Sequence, residues 1–373
     1  MKINLKTILI NCLLAIALSL PLQSVYADLL IPSISGVAGV EGSDGDFTPT
    51  ANLTIDLSLA ATGAWDSAGD GNGVYDPDKW AVVFKYNSID IPAGKTVTFK
   101  NHPSGAPVVW LVTGNVNITG TVNLNGEHGF DNLGRPTIPG PGGFAGGTGR
   151  EALNVIASGG FGPGGAMGNY EDFGSYSKLG VGNLPGSVYG SSRILPLIGG
   201  SGGGGRSNAA HTGGAGGGAL LLVVTQEINI TGVIQARGGS HRYNSGGGSG
   251  GAVRVIAETI SGAGKIEAIP WNVSGGDGRI RLETINFNDN LRTFPSVPIN
   301  APDEPLVLWL PEAAPRISIV SVGVHTVPTD PTGSPQTSEI DFQMDNEAAS
   351  DIVLEAKNIP SDATITVKIV PVY

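Results

Sequence analysis

Short runs of alternating apolar and polar residues lie on both sides of a glycine-rich centre. Val97-Thr-Phe99, Val122-Asn-Leu124 and Ile280-Arg-Leu282 place one kind of side chain on alternate positions, the period of a β-strand. The runs recur in a fixed frame. Val108 to Gly126 aligns with Leu220 to Gly238: an apolar strand, a turn, Asn-Ile-Thr-Gly, a second strand and a closing Gly. Val116 and Ile118 match Ile228 and Ile230, and Val122 and Leu124 match Ile234 and Ala236. A third copy runs from Val253 to Ala268 with two extra turn residues. Ile89-Asp-Ile-Pro-Ala-Gly94 before Val97-Thr-Phe99 reads as an earlier strand–turn–strand corner, and Arg279 to Glu283 as a later strand.

Strands this short, repeating every ~20–30 residues, bury their apolar side only by stacking on the next repeat. The pattern predicts an all-β chain: a right-handed parallel β-helix-like stack with a Gly-rich insertion, followed by a small β-sandwich-like module. Ile118, Ile230 and Ile260 are expected to point inward at equivalent places. Tyr or Trp side chains are expected to cap the ends of the stack, and a β-sandwich is the rival arrangement.

The centre has a different period. Gly140, Gly143, Gly146 and Gly149 are three apart, as are Gly159, Gly162, Gly165 and Gly168. Three residues per turn is the repeat of polyproline-II-type segments, which pack closely where Gly faces a neighbour. On this reading Gly143, Gly146, Gly162 and Gly165 leave no room for a Cβ, while Gly142, Gly147 and Gly164 are more tolerant. The alternative is a loose Gly/Ser loop.

The ends divide the chain further. Met1 to Ala27 carries Lys2 and Lys6, an apolar run from Ile8 to Leu20 and Val25-Tyr-Ala27, the pattern of a cleaved secretory signal. Pro295 to Pro311 reads as an extended linker. Ile317–Val322, Glu339–Phe342, Asp351–Ala356 and Thr364–Val372 are strand candidates of a last module. The expected organisation is 1–27 signal peptide, 28–311 Gly-rich β-helix domain and 312–373 C-terminal β module.

Composition narrows the class. The 58 Gly and 25 Pro in 373 residues disfavour helices, since an interior Gly costs about 1 kcal/mol relative to Ala. A net charge of −11 argues against nucleic acid as a partner. The single cysteine, Cys12, lies inside the signal, so no disulfide is expected in the mature chain. No later run is long and apolar enough to span a membrane.

One stretch has the chemistry of a calcium loop. Asp66, Asp70, Asn72, Asp76 and Asp78 supply oxygen ligands around Gly73, which suits a hard cation such as Ca²⁺. The frame departs from the usual loop, with Ala68 at the first ligand position and Lys79 at the last. A solvated Asp/Gly turn is the alternative. His128, His211 and His241 lie beside Gly runs, with Glu127, Asp131, Arg206, Arg237 and Arg242 near in sequence. Stacked coils would bring some of them to one face as a metal site or an acid–base pair. Glu151, Glu171 and Asp172 are carboxylates whose pairing the sequence leaves open. The sequons at Asn52, Asn117, Asn229 and Asn272 read as turn elements.

Trp80-Ala-Val-Val-Phe84, Ile89 to Phe99, Ala106 to Val112, Gly140-Pro-Gly-Gly143, Ile198 to Gly205 and Gly246 to Ala252 together resemble a family of secreted bacterial glycine-rich parallel-β-helix proteins, adhesin-like and mostly uncharacterised. The resemblance covers about residues 45–311 and the tail after Pro315. It implies a secreted or cell-surface structural or adhesion protein and carries over no catalytic residue. A carbohydrate-binding or polysaccharide-cleaving β-helix and an envelope-attached passenger are the alternatives. Extracellular glycans or surface proteins are the expected partners.

Overall fold

The computed structural model of the protein describes residues 42–62, 72–131, 135–150, 157–168, 171–207, 209–271, 274–288, 290–303, 306–333, 341, 351–365, 367 and 369–370. The signal segment 1–27 lies outside the described residues. The described chain is nearly all β, with one four-residue helical turn at Leu59–Thr62. None of its helices is long and apolar enough to cross a membrane.

Two sheets form the main body, one of ten strands and one of six, parallel except where Val74–Asp76 pairs antiparallel with Ala81–Tyr86. The chain passes from the larger sheet to the smaller and back, so that equivalent segments of successive passes pair. Val82, Val108, Leu220, Val253 and Ile280 form one ladder across the larger sheet. Val97, Val122, Ile234 and Ile266 form another across the smaller. All of these face one core, as the alternation requires. Ile228 sits opposite Val116 and Ile230 opposite Ile118, the pairing expected from the repeat.

The third repeat is displaced. Ile260 pairs with Ile228, not Ile230, because the turn glycine equivalent to Gly232 is Gly264, not Gly262; strand Ala219–Ile230 also carries one extra residue where its register shifts between Val224 and Glu227. Ile118, Ile230 and Ile260 are all fully buried nonetheless. The Asn of Asn-Ile-Thr-Gly is on a strand, not in a turn: Asn117 donates to Asp90 at 2.9 Å and Asn229 to Asn117 at 3.4 Å, a side-chain ladder across three strands. The turn belongs to Gly120 and Gly232, whose N–H groups donate to Ile91 and Ile118.

Strands Ala81–Tyr86, Val108–Val112 and the first half of Ala219–Ile230 are buried on both faces and read as continuous apolar runs. Their outward residues, among them Val83, Leu111, Leu221 and Val223, pack with Ile256 of the next strand beneath Leu306, Leu308 and Trp309. The Pro-rich stretch read as an extended linker is therefore a strap, with Leu308 only 4% exposed. Near it Glu283 accepts from Arg254 at 2.8 Å and Arg281 at 2.7 Å, and Arg254 also donates to the Val307 carbonyl. Inside, Phe47 stacks on Tyr86 at 5.2 Å and packs against Trp110 at 5.9 Å, beside the terminal strand Asp46–Phe47. Aromatic side chains thus fill this end of the core, Phe as well as Tyr and Trp.

The glycine-rich centre is a packed body. The N–H groups of Phe144, Gly147 and Arg150 donate to Gly200, Gly203 and Arg206. Those of Gly200, Gly203 and Arg206 donate onward to Gly217, Gly214 and His211, and Gly202 and Gly205 reach Phe161 and Ser158. Partners change every residue and return every third, the repeat expected of polyproline-II-type segments. The tolerance expected of the off-phase glycines is overturned. A Cβ on Gly147 would lie 2.0 Å from the Ser158 carbonyl oxygen and one on Gly164 2.3 Å from that of Ser175, as tight as in-phase Gly146 (2.2 Å) and Gly165 (2.0 Å). Segments here have neighbours on several sides, so no face is spare.

The tail contributes a three-stranded antiparallel sheet of Arg316–Val322, His325–Thr326 and Ile352–Lys357. The candidate Glu339–Phe342 falls almost wholly outside the described residues, and the described part of 364–372 forms no strand. The tail touches the main body where the Tyr75 hydroxyl donates to Asp330 at 2.7 Å while Tyr75 stacks on His102 at 4.0 Å.

Candidate surface rim

Three segments of the stack and the insertion meet at one rim. Residues 126–131 leave strand Thr121–Asn123 at the start of the insertion. Residues 237–243 occupy the equivalent place one pass later: Gly126 N–H donates to Arg237, and Gly129 N–H to Ser240. Trp271 follows on the next pass, its N–H donating to Gly238. The insertion returns beside them through Thr212, whose N–H donates to Phe130.

This crossing brings together part of the expected histidine set. His211 Nδ1 lies 2.6 Å from Asp131 Oδ1. Arg242 holds the same carboxylate through Nε, at 3.1 Å to each oxygen, and through Nη2 at 2.7 Å. The Arg242 hydrogen bonds, with a further one from His211, keep the Asp131 carboxyl below the usual carboxylate range. The Arg242 guanidinium also covers the Tyr243 ring at 4.1 Å, and the His211 ring lies 5.0 Å from Tyr243.

A second trio is built in the same way. Arg237 covers the Trp271 ring at 4.6 Å, and His128 meets its edge at 4.9 Å. His128 accepts from the Ser240 N–H through Nδ1. Desolvation against these neighbours pushes its pKa down, and Arg237 adds to the effect while Glu127 opposes it. Glu127 is bound by Arg135 at 2.7 and 2.8 Å. Burial works to raise its pKa, but the Arg135 and Ile138 hydrogen bonds outweigh it and hold Glu127 low.

The His241 ring lies against Phe173 at 5.6 Å. Trp271 and Tyr243 were not singled out from the sequence. An aromatic residue amid Gly, in a chain with 6% aromatics, was the available signal. Tyr243 has φ 34, a left-handed conformation that is uncommon for a bulky side chain.

The acidic loop is only partly described. Asp66 and Asp70 lie outside the described residues. Asn72 and Asp78 are exposed. The Asp76 carboxylate accepts from Lys79 Nζ at 2.7 Å and from the Lys79 N–H at 3.2 Å, capping the turn that follows. Among the described residues no group of three or more His, Cys, Asp or Glu is arranged to hold a metal ion. Glu151 also lies outside the described residues; Asp172 is buried and accepts from the Leu184 N–H, and Glu171 is exposed. No family model, curated protein or solved structure matches this chain.

Proposed function

We propose that the chain is a secreted or cell-surface scaffold of the right-handed parallel β-helix type whose function is adhesion, with the rim of Trp271 and Tyr243 as its contact surface. The leading apolar segment supports export, and the in-register parallel passes support the stack. One observation carries the adhesive role. Trp271 and Tyr243 are 49% and 56% exposed, yet each ring is pinned between an Arg and a His on backbone fixed by hydrogen bonds. Exposed aromatic area with a set orientation binds without first losing rotamer freedom. The acidic loop 66–78 keeps its place in this reading as the candidate Ca²⁺ site, and the antiparallel tail sheet as part of a sandwich-like attachment module.

The test is attachment. Beads coated with the mature chain should adhere to surfaces bearing extracellular polysaccharide or surface protein, and beads coated with Trp271→Ala/Tyr243→Ala should adhere several-fold less. Equal adhesion of the two coatings removes the rim from the function, and no adhesion above an albumin coating removes the function itself.

A further inference from the structure

The rim carries information about the chemistry of its partner. Its arginines each lie beside a carboxylate: Arg135 by Glu127, Arg242 by Asp131, and Arg237 at 3.9 Å from Glu267, which Lys265 also holds at 2.8 Å. The chain as a whole carries −11. These carboxylates offset most of the local positive charge, and the long-range field of the chain repels a polyanion. What the rim does present is aromatic surface beside fixed donors and acceptors.

From these features we infer that the rim binds a neutral polysaccharide, sugar rings resting on Trp271 and Tyr243 and hydroxyls bonding to Asp131, Arg242 and His211. The inference rests on the adhesive reading above and specifies its partner. An aromatic face offers its negative quadrupole to the slightly positive C–H faces of a sugar ring. A carboxylate already bonded to Arg242 and His211 is held in place as an acceptor, and Arg242 has further N–H groups to donate. The two rings come from successive passes of the stack, Tyr243 from segment 237–243 and Trp271 from the next, so the rim carries two aromatic platforms, which suits a chain of repeating units. The left-handed backbone at Tyr243 is a second sign, since conformational strain at an exposed residue persists where the surroundings impose it and collects at binding sites.

Affinity electrophoresis of the mature protein through gels containing laminarin, xylan or galactomannan tests this, with polygalacturonate and heparin as acidic comparators. At least one neutral polysaccharide should retard the protein, to the same degree in 50 and 300 mM NaCl. Trp271→Ala and Tyr243→Ala should each weaken that retardation tenfold or more with unchanged melting temperature, and Trp271→Phe should keep most of it. Retardation by none of the neutral polysaccharides, by the polyanions alone in a salt-sensitive way, or equally in parent and alanine variants overturns the inference. If bead adhesion persists under any of those outcomes, the adhesive reading stands with a different partner, an acidic glycan where only the polyanions retard and a protein otherwise. If adhesion is also absent, both fall.

Discussion

Asn229 donates to Asn117 across 3.4 Å of space and 112 positions of chain. The same separation links Thr225 with Thr113 and Arg237 with Asn125. One pass of the stack thus lies directly on the next although the whole glycine-rich body is threaded between them. The register of the repeats survives the interruption because each strand's inward residues must meet the core laid down by its neighbour.

That body should be intolerant of any side chain. Gly202→Ala would put a Cβ 1.9 Å from the Ala145 carbonyl oxygen, whereas Gly105→Ala meets nothing within 4 Å and only a positive φ of 71. The first should cost about 3 kcal/mol, as overpacking does, and the second about 1 kcal/mol, the strain of a left-handed backbone. Thermal melts of the two variants check this. Gly147→Ala should melt as low as Gly146→Ala; a milder effect at Gly147 would restore a spare face.

Beneath the strap, Glu283 is fully buried and Arg254 is 1% exposed. Glu283→Ala leaves a buried guanidinium without its carboxylate and should lose about 3–5 kcal/mol of stability. Arg254→Met combined with Glu283→Leu should lose less, because the fully buried guanidinium is gone and only Arg281, 12% exposed, is left without its carboxylate. Urea unfolding of the three proteins measures the difference, and equal losses for the single and double variants would show that charge burial is not the cause.

Acid should destabilise the protein in two steps. Burial pushes the His102 pKa below its ordinary value, with Asp330 opposing, and desolvation does the same at His128. A histidine whose folded pKa is lowered binds its proton more readily when unfolded. Stability is therefore full above about pH 6.5 and falls as pH drops below it. The lowered carboxyls of Glu127 and Asp56 give the second loss, below about pH 4.3, where the unfolded chain takes up protons first. Melting temperatures from pH 8 to 3 should show both falls. His102→Gln should flatten the upper one, and an unchanged slope there would exclude His102.

Calcium binding by loop 66–78 would require Asp76 to exchange the Lys79 ammonium for the ion. Lys79→Met should then enlarge any rise in melting temperature between EDTA and millimolar Ca²⁺. Equal temperatures in both media, for parent and variant alike, would leave the loop a solvated turn capped by Asp76.

The stack was legible in the sequence where burial follows a fixed period. Val116 opposite Ile228 and Val122 opposite Ile234 follow from the alternation alone. The displaced Ile260 was not legible, since Gly262 and Gly264 offer the repeat two turn positions and only the pairing of Lys265 with Val233 selects the second. The strap was hidden because proline marks an extended chain without saying what that chain lies against, and Leu308 gives no period. At the rim the histidines and their charged neighbours stood out as residue types. The pairing of Asp131 with both His211 and Arg242 depends on where the insertion comes back, which no local pattern encodes.

The long excursion between paired strands has a consequence for how the molecule is assembled. Most neighbouring passes join residues close in sequence, as with Asn117 and Asp90, 27 positions apart. Joining Asn229 to Asn117 must close a loop of 112. The added closure entropy is only about 1 kcal/mol, because it grows with the logarithm of length. Contacts this distant in sequence nevertheless slow folding well out of proportion to their energy. The passes from Ala219 onward and those up to Asn123 can therefore each form from local contacts, with the seam between Val108–Val112 and Ala219–Ile230 closing last.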